Sequence, residues 1–498
     1  MAENTQNCLF PSPRLPVSGK PLEDFGGYKT ALALALLGAG AAALFILAHW
    51  SIALVGAVVV LVLSAVESEP FLLFIIFLIP LGLSLKTEGP LREVPSIVRS
   101  LVIVGFLLGR LWRGRVGARR MLSSSIARAS LFFLGAIAVP IIFGWTNYSA
   151  HYLWAGSYIG FFFLVSAWAD SPERVRKILR VLLYSTIITA VFAILQEVVV
   201  WYTSVWLYLY PRADYLEVWQ WRATSFLRDP GSLADYLNLI LPFALACYVL
   251  GQGKWKKLGG WTLGLGFVAL LSTQSIGAPL AFVSILVLAI FCFARSGKKK
   301  LVLLAGLCAL VCLFYLLRPI LNPTHPEEAV GSDVVSRLLL WITAWGYFMH
   351  SPVFGVGLGN FVHLYGSDVI GSFMPPEIVE VHNIYLQLLA ETGLVGFVAF
   401  FYLVVQSWRQ ARGQWRCSLD FLDRALAFGV LGALLSVLVH GFVGGILEGQ
   451  IATLLWVLLA LLVASGRLQR KSVVGRVGVS GAQALENGPR SSEGYRQA

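Results

Sequence analysis

The chain has 498 residues, of which 57% are hydrophobic and 13% charged, with a mean hydropathy of +0.76 and a formal net charge of +12. A soluble domain carries about 25% charged residues, so a soluble globular protein is excluded. Long apolar runs in place of short alternating segments exclude a membrane β-barrel, and the fold class is all-α polytopic membrane protein.

Residues 1–27 are polar and Pro-rich with no apolar core region, so no cleavable signal peptide is expected. Residues 1–28 are read as a cytoplasmic N-terminal tail. Apolar runs then predict about 14 transmembrane helices, near 29–48, 51–66, 70–84, 96–112, 128–145, 150–169, 180–200, 233–251, 259–274, 276–294, 301–318, 383–407, 425–443 and 449–465. The runs at 51–66 and 70–84 are short for a span. A large extracytoplasmic loop, 319–382, separates the eleventh and twelfth spans. Residues 467–498 are read as a cytoplasmic tail whose polar, Gly/Ser-rich composition predicts disorder.

Orientation follows from Lys and Arg, which concentrate in short cytoplasmic loops. In the 14-span arrangement 30 of the 38 basic residues fall on one side, including Arg110, Arg113, Arg174, Arg176, Lys177, Lys256, Lys257 and Arg467. Both termini are therefore placed in the cytoplasm. The net charge reads as topological anchoring to membrane lipids, and no nucleic-acid partner is needed to explain it. The other eight basic residues lie on the outer side: Lys86, Arg92, Arg99, Arg212, Arg222, Arg228, Arg318 and Arg337. All seven histidines sit in outer segments or near outer helix ends, so the polar chemistry is expected to be extracytoplasmic.

None of the six cysteines falls in an outer loop, so no structural disulfide is expected. No His/Cys/Asp spacing reads as a zinc or calcium site, and the metal assignment is none.

Two outer segments carry candidate chemistry. The first, about 201–231, is rich in Trp and Tyr, which favour the membrane interface and also stack on sugar rings. It ends in Trp221-Arg222-Ala223-Thr224-Ser225-Phe226-Leu227-Arg228-Asp229-Pro230-Gly231, directly before a helix that Ser232 can cap. A helix N-terminus beside Arg222 and Arg228 is an anion site by construction. The second, about 319–381, holds an amphipathic helix over 333–349 with Arg337 and Trp341. A glycine-rich turn follows, Gly355-Val356-Gly357-Leu358-Gly359-Asn360-Phe361. Its spacing and context are not those of a dinucleotide-binding fingerprint.

Next comes Val381-His382-Asn383-Ile384, at the mouth of an apolar helix with Glu391 inside it. Ionisable groups at membrane depth are expensive and therefore functional candidates. Histidine titrates near neutral pH, so His382 can serve as a general base. Asn383 orients it or holds a hydroxyl. Glu391 lies about 13 Å further down the helix, which favours a structural role with an unidentified partner. His440, His325, His350 and His363 read as structural.

Taken together, Arg337 with Trp341, Pro352-x-x-Gly355-x-Gly357-x-Gly359-Asn360-Phe361, and His382-Asn383-x-x-Leu386-x-x-Leu389-x-Glu391-x-Gly393-x-x-Gly396 resemble the Wzy/WaaL superfamily, the O-antigen ligases and polysaccharide polymerases. The Arg222…Phe226…Asp229-Pro230 segment is similar to that family's upstream arginine motif. The resemblance covers roughly 200–450. It implies that residues 29–466 are one GT-C-like transmembrane domain of a bacterial inner-membrane protein with an extracytoplasmic active site. It also implies a metal-independent, inverting glycosyltransferase that uses no cofactor. The donor would be a glycan on undecaprenyl diphosphate, and the acceptor a hydroxyl of another glycan or of lipid A-core. Arg222, Arg337 and His382 would be catalytic, with the arginines stabilising the diphosphate leaving group. Asn383, Arg228, Asp229, Trp341 and Asn360 would bind substrate. Two departures stand out: Gly231 where the family often has Asn, and Ser275-Ile276 where it often has Ser-Arg. A protein O-glycosylating transferase would share this site. A lipid-linked glycan transporter would instead place charge near the midplane on broken, repeated helices.

Overall fold

The computed structural model describes residues 50–81, 94–113, 122–142, 150–203, 222–227, 229–275, 277–294, 296–321, 327–361, 364, 381–444 and 449–486. Among them are fourteen helices: α1 Trp50–Ala65, α2 Glu69–Leu81, α3 Val94–Trp112, α4 Ser125–Ile142, α5 Ala150–Trp168, α6 Pro172–Thr203, α7 Pro230–Leu250, α8 Gly253–Ser272, α9 Gly277–Phe293, α10 Gly297–Leu321, α11 Glu327–His350, α12 Ile384–Cys417, α13 Phe421–His440 and α14 Gly449–Glu486. No strand occurs among the described residues. This is the architecture hydrocarbon allows, because a helix satisfies its own backbone hydrogen bonds.

Five of these helices contain stretches long and apolar enough to cross a membrane: Pro172–Val199, Pro230–Leu250, Ile384–Cys417, Phe421–His440 and Gly449–Arg470. The chain is therefore a multi-pass membrane protein. The two short runs expected as separate spans, α1 and α2, form a pair bent by 115°. The break falls at Glu67, which takes a left-handed φ of 54°. α14 continues as helix to Glu486, past the domain edge expected at 466.

The core is built around α7, α13 and α14. From α7, Leu233, Tyr236, Leu237, Ile240 and Phe243 are fully buried. They meet Phe428, Leu431 and Leu434 of α13 in one continuous cluster. Small residues let these backbones approach closely. A Cβ added at Gly429 would lie 2.7 Å from the Cβ of Phe243, and one at Gly432 would collide with Pro242. A second, smaller cluster packs α11 onto the start of α12. It contains Leu340, Ala344, Phe361, Val381 and Ala390, with Trp341 and Leu386 against it.

One end of the bundle is tied by ion pairs. Glu67 accepts from Arg110 and Arg113 of α3, at 3.2 and 2.8 Å. Glu69 pairs with Lys177 of α6, and Arg176 reaches Asp420 at 3.4 Å. These basic residues belong to the group that sequence reasoning put on a single side. The expected absence of a disulfide is not met: the Cys417 sulfur, exposed at the end of α12, is disulfide-bonded, whereas Cys247, Cys292 and Cys308 are free thiols. Its exposure at a helix end leaves it open to a second cysteine, which the loop-only argument overlooked.

Candidate active site

The opposite end gathers the polar residues. Its centre is the turn that follows α13. Three carbonyls of this turn each accept a hydrogen bond from a different part of the candidate site. Gly441 O accepts from the Ile384 N–H at 2.8 Å. Phe442 O accepts from Asn383 Nδ2 at 3.4 Å. Val443 O accepts from Arg337 Nη1 at 2.8 Å. The end of α13 thus holds α11 and the mouth of α12 in fixed relation.

His382 is anchored on both sides. Val381 before it is fully buried in the smaller cluster. Asn383 after it is the N-cap of α12, and its Oδ1 accepts from the N–H groups of Tyr385 and Leu386 at 3.0 and 3.1 Å. A cap of this kind satisfies donors that the first turn leaves open. His382 itself takes a φ of 52° and is half-buried. Left-handed backbone is costly for residues other than glycine and persists where its surroundings enforce it. Ser225 (φ 52°) and Gln274 (φ 49°) share this conformation at the same end of the molecule.

Glu391 and the glycine turn form a unit. α12 is broken at Gly393 (φ 60°, ψ −165°), a kink not foreseen within the expected span. A break inside a membrane helix strands backbone groups that must find partners. Here the 352–361 turn supplies them. Ala390 O and Glu391 O accept from the N–H groups of Val356 and Gly357 at 2.8 and 2.9 Å. On the far side of the break, the Leu394 and Val395 N–H groups donate to Pro352 O and Val353 O at 2.9 and 3.1 Å. Only glycine permits this approach. A Cβ at Gly355 would strike the Glu391 carbonyl carbon, and one at Gly393 the Val353 carbonyl. The Glu391 side chain accepts from the Phe361 N–H at 3.4 Å. That amide is one partner of the kind the sequence left unidentified.

Asn360 lies inside this turn, buried, and its Nδ2 donates to Val356 O at 2.8 Å. Trp341 packs against the smaller cluster, and its Nε1 donor is buried with no acceptor among the described residues.

The arginine segment reaches the site by another route. Arg222 Nε donates to Thr273 O at 2.8 Å, and the Ala223 N–H to Ser272 O at 3.0 Å. The guanidinium therefore sits on the C-terminal, electronegative end of α8. Gln196 holds the following residues, its Oε1 accepting from the Thr224 and Ser225 N–H groups at 3.2 and 2.7 Å. At the start of α7 the N-cap is Asp229, not Ser232. Asp229 accepts from both the N–H and the hydroxyl of Ser232, each at 2.8 Å, because the residue before Pro230 already has the extended backbone a cap needs. Arg228 lies outside the described residues, as do 204–221, the greater part of the aromatic segment.

One pairing was missed. His440, read as structural, has its Nδ1 hydrogen-bonded to Asp235 Oδ1, and each side chain is 5% exposed. The pair ties the end of α13 to the first turns of α7. Gly277, which opens α9, packs against the same imidazole. Arg337 and the His382 mouth thus connect through residues 441–443, and His440 joins that turn to α7. The available signal was an acid at the start of one apolar helix and a histidine at the end of another; nothing local joined them.

Residues 261–401 match the family model described as O-Antigen ligase. The match takes in Arg337, Trp341, Asn360, His382, Asn383 and Glu391, and leaves Arg222, Asp229, Asp235 and His440 outside. No curated protein matches the chain significantly. The match supports the resemblance of this multi-pass helical chain to the O-antigen ligases and polysaccharide polymerases.

Proposed function

We propose that the protein is a metal-independent, inverting glycosyltransferase that moves a glycan from an undecaprenyl diphosphate carrier to an acceptor hydroxyl at the extracytoplasmic face of a bacterial inner membrane. The family match over 261–401 supports the coarse part of this reading, a ligase- or polymerase-type role in glycan assembly with a lipid-linked donor and a glycan acceptor. The observation that carries the finer part is the convergence of Arg337 and the His382–Asn383 mouth on the carbonyls of 441–443.

The chemistry proposed is one displacement. The acceptor oxygen attacks the anomeric carbon while the bond from that carbon to the diphosphate oxygen breaks. His382 takes the hydroxyl proton, and the diphosphate leaves with the bonding electrons. Arg337 Nη1 donates to Val443 O, which orients its plane, and a guanidinium is the group suited to phosphate oxygens. Arg222 is likewise fixed through Nε on Thr273 O. Fixed cations are what a leaving group with growing negative charge requires. Asn383, Arg228, Asp229, Trp341 and Asn360 are proposed around the substrates. The buried Trp341 Nε1 is a donor a sugar oxygen can accept from. Asn383, Asp229 and Asn360 each also hold backbone in place.

The test is transfer from a purified undecaprenyl diphosphate-linked glycan to lipid A-core and to a glycan repeat, with release of the diphosphate carrier as readout. Release with one acceptor and not the other separates ligase from polymerase. Transport of the donor without release overturns the transferase reading.

A further inference from the structure

A cavity of about 690 Å³ lies at the other end of α8, between α7, α8 and α9. It is open to the side, as a groove on a membrane-spanning bundle opens to lipid. Its floor is apolar, with Leu263 and Phe267 of α8 facing Phe282 and Leu286 of α9. Two glycines keep it open: a Cβ at Gly264 would meet nothing within 4 Å, and one at Gly260 would touch the Tyr248 ring at 3.2 Å. At one end stand Lys256 and Lys257, both exposed, with Lys256 Nζ 5.7 Å from the Tyr248 ring centroid. Among the described residues no acidic side chain lines the cavity to neutralise them. From Lys256 to Phe267 a helix rises about 16 Å. That is the depth of one leaflet of a hydrocarbon core about 30 Å thick.

We propose that this wedge binds an anionic phospholipid, its phosphate at Lys256 and Lys257 and an acyl chain laid over Gly260 and Gly264. Basic pockets between membrane helices recognise anionic headgroups in this way, and the two lysines set the preference for net negative over zwitterionic lipid. The apolar trough demands a chain as well as a phosphate. The bound lipid would prop α8 between its neighbours. The opposite end of α8 carries the Thr273 carbonyl that holds Arg222, so one helix joins the lipid site to the arginine site. The binding claim stands apart from the glycan-transfer reading, because binding is measured directly.

The test uses the full-length protein in detergent, with lipid retention read by native mass spectrometry. Phosphatidylglycerol is expected to be retained over phosphatidylcholine on the order of ten-fold. Lys256→Gln/Lys257→Gln removes that preference with an unchanged melting temperature, and Lys254→Gln keeps it. Gly264→Leu, whose side chain enters open space, lowers retention of phosphatidylglycerol. Equal retention of the two lipids by the wild type, or full preference in the double lysine variant, overturns the proposal. So does inorganic phosphate displacing the lipid at equal concentration, which would mean the chain contributes nothing.

Discussion

Asp235 and His440 share a buried hydrogen bond across 205 residues of sequence, and the turn that His440 opens carries the carbonyls on which the candidate site hangs. Breaking a buried pair of this kind by removing one partner costs about 3–5 kcal/mol, because the other is left uncompensated. Asp235→Ala is therefore expected to lower the denaturation midpoint strongly and to reduce activity even at temperatures where the protein stays folded. The paired replacement Asp235→Leu/His440→Leu should recover much of the stability and little of the activity. Equal stability of Asp235→Ala and the wild type in a denaturation series would remove the pair from this role.

Asn383 is a cap before it is anything else. Asn383→Ala should cost about 1 kcal/mol of stability and lower kcat through a displaced His382. Asn383→Asp still accepts from the Tyr385 and Leu386 N–H groups and should restore stability. If Asn383→Asp is as unstable as Asn383→Ala, the cap is not what this residue supplies.

Glu391 serves the Phe361 amide as an acceptor. Gln keeps a carbonyl oxygen in that place, so Glu391→Gln should retain activity within a few-fold, whereas Glu391→Ala should lose it together with stability. A general base behaves otherwise, since its amide variant is inactive. Steady-state kinetics of the two variants distinguish the roles.

Arg337 is held through Nη1 on Val443 O. Lys cannot reproduce this arrangement, as it has no planar fork. Arg337→Lys should therefore behave almost as Arg337→Ala, with kcat down by about 10²–10³-fold and little change in melting temperature. Recovery of most activity by Lys would mean that charge alone suffices there.

Much of the candidate site could be proposed from sequence because its residues lie in short, ordered motifs. Arg337, His382 and the glycine turn could be read from local spacing, and the amphipathic helix expected over 333–349 is α11, Glu327–His350. What escaped was long-range. The helix from 383 was read as one unbroken span because Gly393 lies among apolar residues. Its kink exists only because the 352–357 backbone arrives to satisfy the groups it exposes. Asp235 drew no reading in the sequence, and His440 read as structural. Each makes sense only against the other. Asp229 rather than Ser232 as the cap was the local miss, and the extended backbone before Pro230 is its signal.

The central claim is that His382 serves an acceptor hydroxyl beside a diphosphate leaving group. Release of undecaprenyl diphosphate from a purified lipid-linked glycan, compared between the wild type and His382→Ala, tests it most directly. The account predicts acceptor-dependent release by the wild type and a fall of at least about 10²-fold in kcat for His382→Ala, with an unchanged melting temperature and unchanged donor binding. Acceptor-dependent release at the wild-type rate by His382→Ala would contradict it.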